Sequence, residues 1–488
     1  MFTGKSRTHI RRGIAVGGIR GGSGKTLVTV GLIQALRNRG MKVAPFKKGP
    51  DYIDTAWLSR ASGEHTYNLD TFLMEPERVR EMYQQRNSTC DIAVIEGNRG
   101  IFDGFDVSGT HSFAEMVKLL KIPLILVVDC TKSSRTVAAL VQGCLNFDSG
   151  IDFGGIVLNQ IAGTRHRSII TGSIEKYTSI PVIGAIPRIS GISMRERHLG
   201  LIPVHEHADT DETIGMLAKV FEDNVDMERV LQISQPREKH FKALRDRIRT
   251  VKISGPCVSD VNDVTDLKVD NESPVVGIFM DPAFNFYYRE NIDSLVKNGA
   301  TVREINAMEE KTLPDIDALY IGGGFPETHA TMLSRNREFI SSLRERIEKG
   351  MPVYAECGGL VYLSDSLTLK EEKYKLAGIF PFEFELADTP QGHGYTIFTV
   401  DSENPFYKTG IEVRGHEFRY SRMINPDAFS ATDTVFAMNR GTGIAQNRDG
   451  VIYKNVLATF IHTHSESRNV EWTGALVRLA DKWRKENG

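Results

Sequence analysis

The sequence is poor in cysteine and has no long apolar run. Its 488 residues include five cysteines, namely Cys90, Cys130, Cys144, Cys257 and Cys357. Because they are odd in number and far apart, they fit neither a disulfide framework nor a Cys-x-x-Cys metal site. No apolar stretch approaches the roughly 18 residues that cross a bilayer, and the basic start of the chain lacks the apolar core of a signal peptide. We therefore expect a cytoplasmic protein.

The sequence also lacks an excess of charge of either sign. Its formal net charge is −2, which predicts no general attraction to nucleic acid or to an anionic membrane. Hydrophobic residues make up 41% of the chain and charged residues 25%, so neither a disordered nor a fibrous chain is indicated. At roughly 100–200 residues per domain, the length favours two or more domains.

Apolar runs in the first half of the chain alternate with helical patterns. The runs are continuous, which is typical of strands buried on both faces of a parallel sheet. They cover residues 14–19, 43–46, 92–97, 124–129 and 155–159. The sequence therefore predicts an α/β fold over residues 1–231, in which a parallel sheet is covered by helices.

A segment of different composition separates this part of the chain from a second set of predicted strands and helices. Residues 232–273 begin with a charged helical pattern and continue with a segment rich in Asp, Asn, Ser and Thr, which we interpret as a linker. Strand-like runs return at residues 275–280, 318–324 and 352–356. The sequence therefore predicts a second α/β domain over residues 274–488.

A glycine-rich loop follows the first predicted strand and leads into an apolar-periodic helix. It reads Gly-Ile-Arg-Gly-Gly-Ser-Gly-Lys-Thr from Gly18 to Thr26, with its leading glycine one residue earlier than in the strict phosphate-loop spacing. Lys25 would reach the outer phosphates of a nucleotide and Thr26 would hold Mg²⁺. Loops of this length resemble dethiobiotin synthetase and the deviant-Walker ATPases, whose signature Lys is matched here by Arg20. The predicted ATP site comprises Gly21, Gly22, Ser23, Gly24, Lys25, Thr26 and Asn159.

Acidic residues follow two other predicted strands, at the edge where doubly wound folds bind ligands. They are Asp51 and Asp54 after the second run and Glu96 and Asp103 after the third, with Lys47 and Lys48 beside the first pair. Mg²⁺ prefers a few carboxylates together with phosphate oxygens and water. The predicted metal ligands are Thr26, Asp51, Asp54 and Glu96.

Cys357 differs from the other cysteines because it lies at a sharp predicted strand-to-helix junction, in the run Ala-Glu-Cys-Gly-Gly. Such an elbow exposes a nucleophile at a helix N-terminus, where the thiolate is favoured. The backbone N–H groups of Gly324, in an upstream glycine triplet, and of Gly358 would form an oxyanion hole. Near the C-terminus, His462 and His464 follow a predicted strand, and either could serve as the base.

Longer motifs occur along most of the chain. They are PFKKGPDYID (45–54), NLDTFLM (68–74), EGNRGIFDG (96–104), GIVLNQIAGTRH (155–166), RERHLGLIP (195–203), DPAFNFYYRENI (281–292), YIGGGFPETHA (320–330), AECGGLVYL (355–363), GHEFRYS (415–421) and FIHTH (460–464). Together they resemble the cobyrinic acid a,c-diamide synthase family. The resemblance implies an ATP-binding domain that phosphorylates a side-chain carboxylate of a tetrapyrrole. It also implies a class I glutamine amidotransferase domain that supplies ammonia from glutamine.

The resemblance further implies roles for single residues. Cys357 is the nucleophile and Lys25 offsets charge during phosphoryl transfer to the a and c acetate carboxylates. His462 is preferred to His464, because related sequences carry one His there. The wider glutaminase class has a Glu two residues after that His, where this chain has His464, so the sequence does not supply the third member of a Cys-His-Glu triad at that position. The implied partners are glutamine and the tetrapyrrole, and a homodimer is a further expectation.

One departure from the family's motif concerns the substrate. Family members are more apolar between the glycines, as in EGVMGLFDG, whereas this chain has Asn98 and Arg99. Arg99 could pair with a propionate or acetate of the substrate, and Tyr52 and Asp103 are the other predicted substrate contacts.

Several alternatives stay open. Relatives of the same architecture amidate sirohaem or nickel-sirohydrochlorin, and cobyric acid synthases and cell-wall amidotransferases have a similar build. A ParA-like nucleotide switch belongs to a different class of function. It would need neither Cys357 nor a second α/β domain.

Overall fold

The computed structural model describes residues 11–189, 196–197, 200–201, 204, 207, 209–236 and 273–487. Most of the predicted linker therefore lies outside the described residues, as does much of the motif at 195–203. The chain divides into two compact units, which comprise Met1–Thr71 with Pro76–Asn262 and Phe72–Glu75 with Asp263–Gly488. The predicted domain limits stay predictions, and the helix Met227–Ile233 continues across the predicted boundary at residue 231.

A sheet of seven parallel strands forms the centre of the first unit. The strands are β1 (Arg12–Gly18), β2 (Val43–Lys48), β3 (Tyr67–Leu69), β4 (Ile92–Glu96), β5 (Leu124–Asp129), β6 (Phe153–Ile161) and β7 (Val182–Pro187). Their order is β3-β2-β4-β1-β5-β6-β7. Nearly every residue of these strands is buried, which confirms the parallel sheet predicted from the continuous apolar runs.

Helices follow most strands of the first unit. Those in its described part are α1 (Lys25–Asn38), α2 (Ile53–Ser62), α3 (Pro76–Asn87), α4 (Phe113–Leu120), α5 (Thr136–Phe147), α6 (Thr164–Tyr177), α7 (Thr210–Asn224) and α8 (Met227–Ile233). Two of them begin at side-chain caps, because Ser112 accepts from the backbone of Glu115 and Asp226 from that of Arg229. Two short strands, β8 (Glu196–Arg197) and β9 (Gly200–Leu201), pair antiparallel.

The strand order fixes where the glycine loop lies. Strand β1 is paired with β4 on one side and β5 on the other, with Val16 opposite Glu96 and Gly18 opposite Val127. The loop after β1 therefore opens between the carboxyl ends of β4 and β5. This is the edge at which open parallel sheets bind ligands.

A mixed sheet of ten strands forms the centre of the second unit. The strands of this unit are β10 (Val275–Phe279), β11 (Phe284–Phe286), β12 (Thr301–Ile305), β13 (Ala318–Ile321), β14 (Gly323–Gly324), β15 (Val353–Glu356), β16 (Ser364–Leu369), β17 (Glu372–Lys375), β18 (Phe380–Leu386), β19 (Gly392–Val400), β20 (Glu412–Arg419), β21 (Ser421–Met423), β22 (Thr434–Arg440), β23 (Arg448–Tyr453), β24 (Val456–Thr459) and β25 (His462–Thr463). The order in the large sheet is β12-β10-β13-β15-β24-β23-β22-β19-β20-β25. The pairs from β12 to β24 are parallel and the others antiparallel.

The parallel half of this sheet confirms the predicted second α/β domain. The antiparallel half was not predicted, because strands such as β19 are buried on one face only and lack a continuous apolar run. The helices of the unit are α9 (Arg289–Lys297), α10 (Ala330–Arg335), α11 (Arg337–Glu348), α12 (Gly358–Leu363) and α13 (Trp472–Asn487), with short 3-10 helices at Pro326–His329, Pro426–Ala428 and Ala431–Asp433. Among the helices described in both units, none has the length and apolar content that a membrane span needs.

Candidate functional site

The glycine loop has the backbone geometry of a phosphate-binding turn. Gly22 and Gly24 have φ angles of 69° and 81°, which favour glycine. A Cβ at Gly24 would lie 2.1 Å from Nδ2 of Asn159, so a larger residue would collide there. Asn159 donates from Nδ2 to the carbonyl oxygen of Ser23 at 3.1 Å. Asn159, which the sequence predicts as part of the ATP site, therefore also stabilises the conformation of the loop.

Two polar side chains of the loop turn back onto its own backbone. Ser23 donates to the carbonyl oxygen of Arg20 at 2.7 Å, and Nζ of Lys25 donates to the same oxygen at 3.2 Å. Burial, and next the charge of Lys47, lowers the pKa of Lys25. Arg20 pairs with Asp129 at the end of β5, at 2.7 Å. Lys25 thus lies at the inner side of the loop, where the end of a phosphate chain would reach it.

Lys47 lies among the three predicted metal carboxylates. Its Nζ atom is 2.6 Å from Glu96, 2.5 Å from Asp54 and 3.9 Å from Asp51. Both Lys47 and Glu96 are buried. A buried carboxylate costs free energy unless a charge partner and hydrogen bonds compensate it. Lys47 therefore compensates the negative charge at this edge of the sheet.

The ionisation of this cluster follows from burial and from Lys47. Burial lowers the pKa of Lys47, but Asp54 and Glu96 outweigh burial and the net shift is upward. Burial raises the pKa of Glu96. Burial followed by the charge of Asp54 raises the pKa of Asp51 to about 7. For Asp54, burial is opposed by Lys47, which brings the pKa below its ordinary value.

Thr26 and Glu96 fit a cation that is also bound by phosphate oxygens. Thr26 donates to Oε1 of Glu96 at 2.8 Å, while Oε2 of Glu96 is buried without a hydrogen-bond partner. Such an oxygen is a suitable ligand for Mg²⁺. In the described part of the chain, however, no three His, Cys, Asp or Glu side chains converge as a metal site. Asp51 and Asp54 face Lys47, and the predicted set of four ligands stays a prediction.

The three predicted substrate residues lie on loops at the same edge. Tyr52 is half-buried immediately before α2, and Arg99 is exposed with a φ of 35°. Asp103 is exposed and accepts from the backbone of Gly100 at 2.8 Å. Asp103 therefore also stabilises the turn that carries Arg99.

Cys357 forms the predicted elbow between β15 and α12. Its φ and ψ angles are 50° and −102°, an unfavourable conformation for a residue with a Cβ. Neighbouring backbone groups hold it there, because its N–H donates to Thr459 at 2.7 Å and its carbonyl accepts from Val361 at 3.2 Å. The side chain is 8% exposed. The junction thus places one nearly buried sulfur atom at the end of a strand, where it donates to the carbonyl oxygen of Phe418 at 3.8 Å.

His462 is the histidine that reaches Cys357. It lies in β25, just beyond β24, which pairs with β15 in parallel register. The two side chains are hydrogen-bonded. Burial lowers the pKa of His462, but Cys357, followed by Glu356, outweighs burial and raises it to about 9. The structure therefore brings together the predicted nucleophile and the preferred base.

His464 points to a different group of residues. Its Nδ1 atom accepts from the backbone N–H of Glu466 at 3.1 Å, and Nε2 is 3.5 Å from Glu290. Its ring packs on that of Tyr288, with centroids 4.5 Å apart. The described contacts of the His464 ring are therefore with Glu466, Glu290 and Tyr288, and none of them joins it to Cys357.

Glu356 belongs to this site and was missed by the sequence interpretation. It immediately precedes Cys357, is 1% exposed, and lies with Oε2 3.6 Å from Nδ1 of His462. The available signal was a charged residue at the end of the otherwise apolar run before Cys357. The adjacency of Glu356 and Cys357 in sequence conceals that Glu356 contacts the histidine.

Gly323 and Gly324 lie so close to His462 and to the backbone of Ala283 that a side chain at either position would collide. A Cβ at Gly323 would lie 2.4 Å from Cε1 of His462, and one at Gly324 would lie 2.1 Å from the carbonyl oxygen of Ala283. The backbone nitrogen of Gly324 is 3.2 Å from the position of a Cβ on Gly358. The two glycines predicted for the oxyanion hole are therefore close neighbours beside Cys357.

Each of the two units matches a known domain family. Residues 14–202 match the family described as the CobQ/CobB/MinD/ParA nucleotide binding domain. Residues 275–470 match the CobB/CobQ-like glutamine amidotransferase domain. The predicted nucleotide-binding and glutaminase domains are thereby confirmed.

Three relatives that are similar over nearly their full length share one name. A cobyrinate a,c-diamide synthase from Magnetococcus marinus is 38% identical, over 96% of this chain and 96% of the relative. The proteins of that name from Archaeoglobus fulgidus and Listeria monocytogenes are 35% and 34% identical, over 92% of this chain and 94% and 96% of the relatives. Because the similarity extends over nearly the whole of both partners, this chain belongs to the cobyrinate a,c-diamide synthase family and is a glutamine-hydrolysing amide ligase.

Proposed function

We propose that this protein converts the a and c acetate carboxylates of cobyrinate into amides, with ATP as the source of energy and glutamine as the source of nitrogen. The observation that carries the proposal is the Cys357–His462 pair, on a chain that also has a phosphate loop. The names of the relatives support cobyrinate as the acceptor. Glutamine hydrolysis alone would not need the phosphate loop, and ATP-dependent activation alone would not need the Cys357–His462 pair.

The first unit activates the acceptor. A carboxylate is a poor electrophile, so its oxygen attacks the γ-phosphorus of ATP and ADP leaves, giving an acyl phosphate. Ammonia then attacks the acyl carbon, loses a proton, and inorganic phosphate leaves as the amide forms. Lys25 offsets negative charge at the transferred group, and Lys47 keeps the neighbouring carboxylates compensated.

Thr26 and Glu96 are the residues that would hold Mg²⁺ at the phosphates, where it would supply charge neutralisation. The buried free oxygen of Glu96 supports this assignment. Asp51 and Asp54 act through Lys47, which they hold in place. Tyr52, Arg99 and Asp103 are proposed to contact the tetrapyrrole, with the exposed guanidinium of Arg99 pairing with a peripheral carboxylate. A homodimer in a cytoplasmic setting remains part of the proposal.

The second unit releases ammonia from glutamine. The sulfur of Cys357 attacks the carboxamide carbon, and His462 delivers a proton to the departing ammonia, which leaves a thioester. Water then hydrolyses the thioester to glutamate and regenerates the cysteine. The N–H groups of Gly324 and Gly358 would stabilise the oxyanion of each tetrahedral intermediate.

A substrate panel tests the proposal. The protein is incubated with ATP, Mg²⁺ and glutamine, and separately with cobyrinate, nickel-sirohydrochlorin and sirohaem, and mass spectrometry counts the amides formed. We expect cobyrinate to gain two amides, each accompanied by hydrolysis of ATP and glutamine. Amidation of only one of the other two tetrapyrroles would move the assignment to that substrate. ATP turnover without amidation of any acceptor would favour the nucleotide-switch alternative.

A further inference from the structure

In related glutaminases the acidic member of the triad lies two residues after the histidine, but in this chain that position is His464, which has other contacts. His464 stands two residues after His462. Its Nδ1 atom accepts a backbone hydrogen bond, so its proton is on Nε2, facing Glu290 at 3.5 Å. His464 therefore does not orient the imidazole of His462. A different residue must do so.

The fold places one buried carboxylate, that of Glu356, beside His462. Oε2 of Glu356 lies 3.6 Å from Nδ1 of His462 and accepts from the hydroxyl of Tyr320 at 2.8 Å. Its second oxygen, Oε1, accepts from the backbone and the hydroxyl of Thr463, at 3.0 and 3.2 Å. Three donors thus fix the carboxylate on both of its oxygens, independently of the histidine.

We propose that Glu356, the residue before the nucleophile, is the positioning residue that orients His462 and replaces the acid normally found two residues after the histidine. It holds Nδ1 of His462 as the protonated nitrogen, which leaves Nε2 for Cys357. The carboxylate reaches the histidine because β15 and β24 pair in parallel, with Glu356 opposite Thr459. The glutaminase site thereby takes its third member from the last residue of β15, directly before the nucleophile.

The hydrogen bonds of Glu356 connect it to two other strands, β13 and β25. Tyr320 is on β13 and Thr463 is on β25, so the carboxylate is tied to elements on both sides of the elbow. Tyr320 also accepts from Asn291 at 3.3 Å, which extends the buried network. A buried side chain whose hydrogen bonds are satisfied by several donors is held rigidly in place. Its geometry therefore suits orientation rather than proton transfer.

A matched pair of variants tests this inference, which rests on the glutaminase half of the proposed function. Glu356→Gln keeps the size of the side chain, removes its charge and turns one of its two acceptor oxygens into an NH₂ donor, which weakens the hold on the tautomer of His462. Glu290→Gln makes the same change beside His464. We expect Glu356→Gln to lower kcat of glutamine hydrolysis by roughly 10²–10⁴-fold, by analogy with loss of the orienting acid in other triads. KM for glutamine should stay within about threefold of wild type, because the variant does not remove a substrate contact.

Three readouts separate orientation from damage to the fold. Amidation driven by free ammonia should be unchanged in both variants, and Glu290→Gln should hydrolyse glutamine like wild type. Glu356→Asp, which keeps the charge, should recover part of the lost activity. Wild-type glutaminase activity in Glu356→Gln, or an equal loss in Glu290→Gln, would overturn the inference. A wild-type protein that hydrolyses no glutamine would instead overturn the proposed function.

A measurement on the unmodified active site covers the case in which Glu356→Gln does not fold. Nitrogen-15 NMR of the imidazole of His462, assigned with a His462→Gln variant, reports which nitrogen carries the slowly exchanging proton. At a pH above 9, where the imidazole of His462 is neutral and carries one proton, we expect that proton on Nδ1. Finding it on Nε2 alone would contradict the orientation by Glu356.

Discussion

The two reactive loops share a shape but use different residues to make it. Each joins a parallel strand to a helix, and each has a residue with positive φ just before the helix. In the phosphate loop this residue is Gly24, at 81°, whereas in the elbow it is Cys357, at 50°. Glycine adopts such angles freely, while a residue with a Cβ does so at a cost of order 1–3 kcal/mol.

The difference follows from what each loop presents. The phosphate loop presents backbone N–H groups, and a side chain at Gly24 would collide with Asn159. The elbow presents a sulfur atom, so its residue cannot be glycine. The strain at Cys357 is sustained by its backbone bonds to Thr459 and Val361. Similar local geometry therefore serves backbone recognition in one unit and side-chain chemistry in the other.

The two centres also compensate charge differently. Around Lys47, three carboxylates meet one ammonium group. Around Cys357, one histidine lies between the sulfur and a single carboxylate, Glu356. The first centre holds its carboxylates around a lysine, whereas in the proposed reaction the second centre would supply its own proton donor, His462. The two centres should consequently fail in separable ways.

The largest expected effect comes from removing the sulfur. Cys357→Ser should lower glutamine-dependent amidation by about 10³-fold or more, because the nucleophile of the thioester step is lost. Free ammonia should restore amidation, measured as amide formed per ATP hydrolysed. Cys144→Ser, which changes a cysteine of α5, serves as the control and should retain both activities. Failure of ammonia to rescue Cys357→Ser would show that the two centres are not separable.

A smaller loss is expected at the phosphate loop. Lys25→Ala should lower amidation by about 10²–10³-fold with either glutamine or ammonia, because charge on the transferred phosphoryl group is no longer offset. Glutamine hydrolysis, measured as glutamate released, should stay within about tenfold of wild type. The control Lys219→Ala removes an exposed lysine of α7. Equal loss of glutaminase activity in Lys25→Ala would break the proposed division of labour.

The pH profile of the glutaminase reaction gives a third comparison. The pKa of His462 is raised to about 9, so its imidazolium is present below that pH and is lost as the pH rises through it. The charged or titratable groups facing it are Cys357, Glu356 and the stacked ring of His416, with His464 two residues further along the chain. Glutamine hydrolysis should therefore decline above pH 9, as proton delivery to ammonia fails. A decline already complete at pH 7 would contradict this assignment.

The same experiment sharpens the role of the neighbouring carboxylate. Glu356 is among the groups that raise the pKa of His462, while burial lowers it. Glu356→Gln should therefore move the alkaline limb to lower pH. The residual hydrolysis rate measured between pH 6 and about 10 checks the direction.

The smallest expected effect is on stability, and it tests the strain directly. Cys357→Gly should be more stable to urea than Cys357→Ala by about 1 kcal/mol, because both lack the sulfur and only alanine keeps the unfavourable φ. The same preference should hold at Gly24, so that Gly24→Ala is less stable than wild type by about 1 kcal/mol or more. Equal stabilities of the two Cys357 variants would show that the elbow is not strained.

The sequence alone determined the two reactive loops and the parallel core of each unit. Phosphate binding by residues 18–26 and the elbow at Cys357 depend on neighbours along the chain, namely a strand, a tight turn and the start of a helix. Continuous apolar runs marked the parallel strands because both of their faces are buried. The family resemblance added the amidotransferase identity, which the comparisons confirmed.

Only the tertiary structure decided which side chains meet at those loops. The placement of His462 rather than His464 beside Cys357 depends on the pairing of β15 with β24. The approach of Lys47 to Glu96 depends on β2 lying next to β4. Asp51 and Asp54 were predicted as metal ligands, but they face the ammonium group that this pairing brings in. Strand order and register are set by packing across the whole sheet, which spacing along the chain does not record.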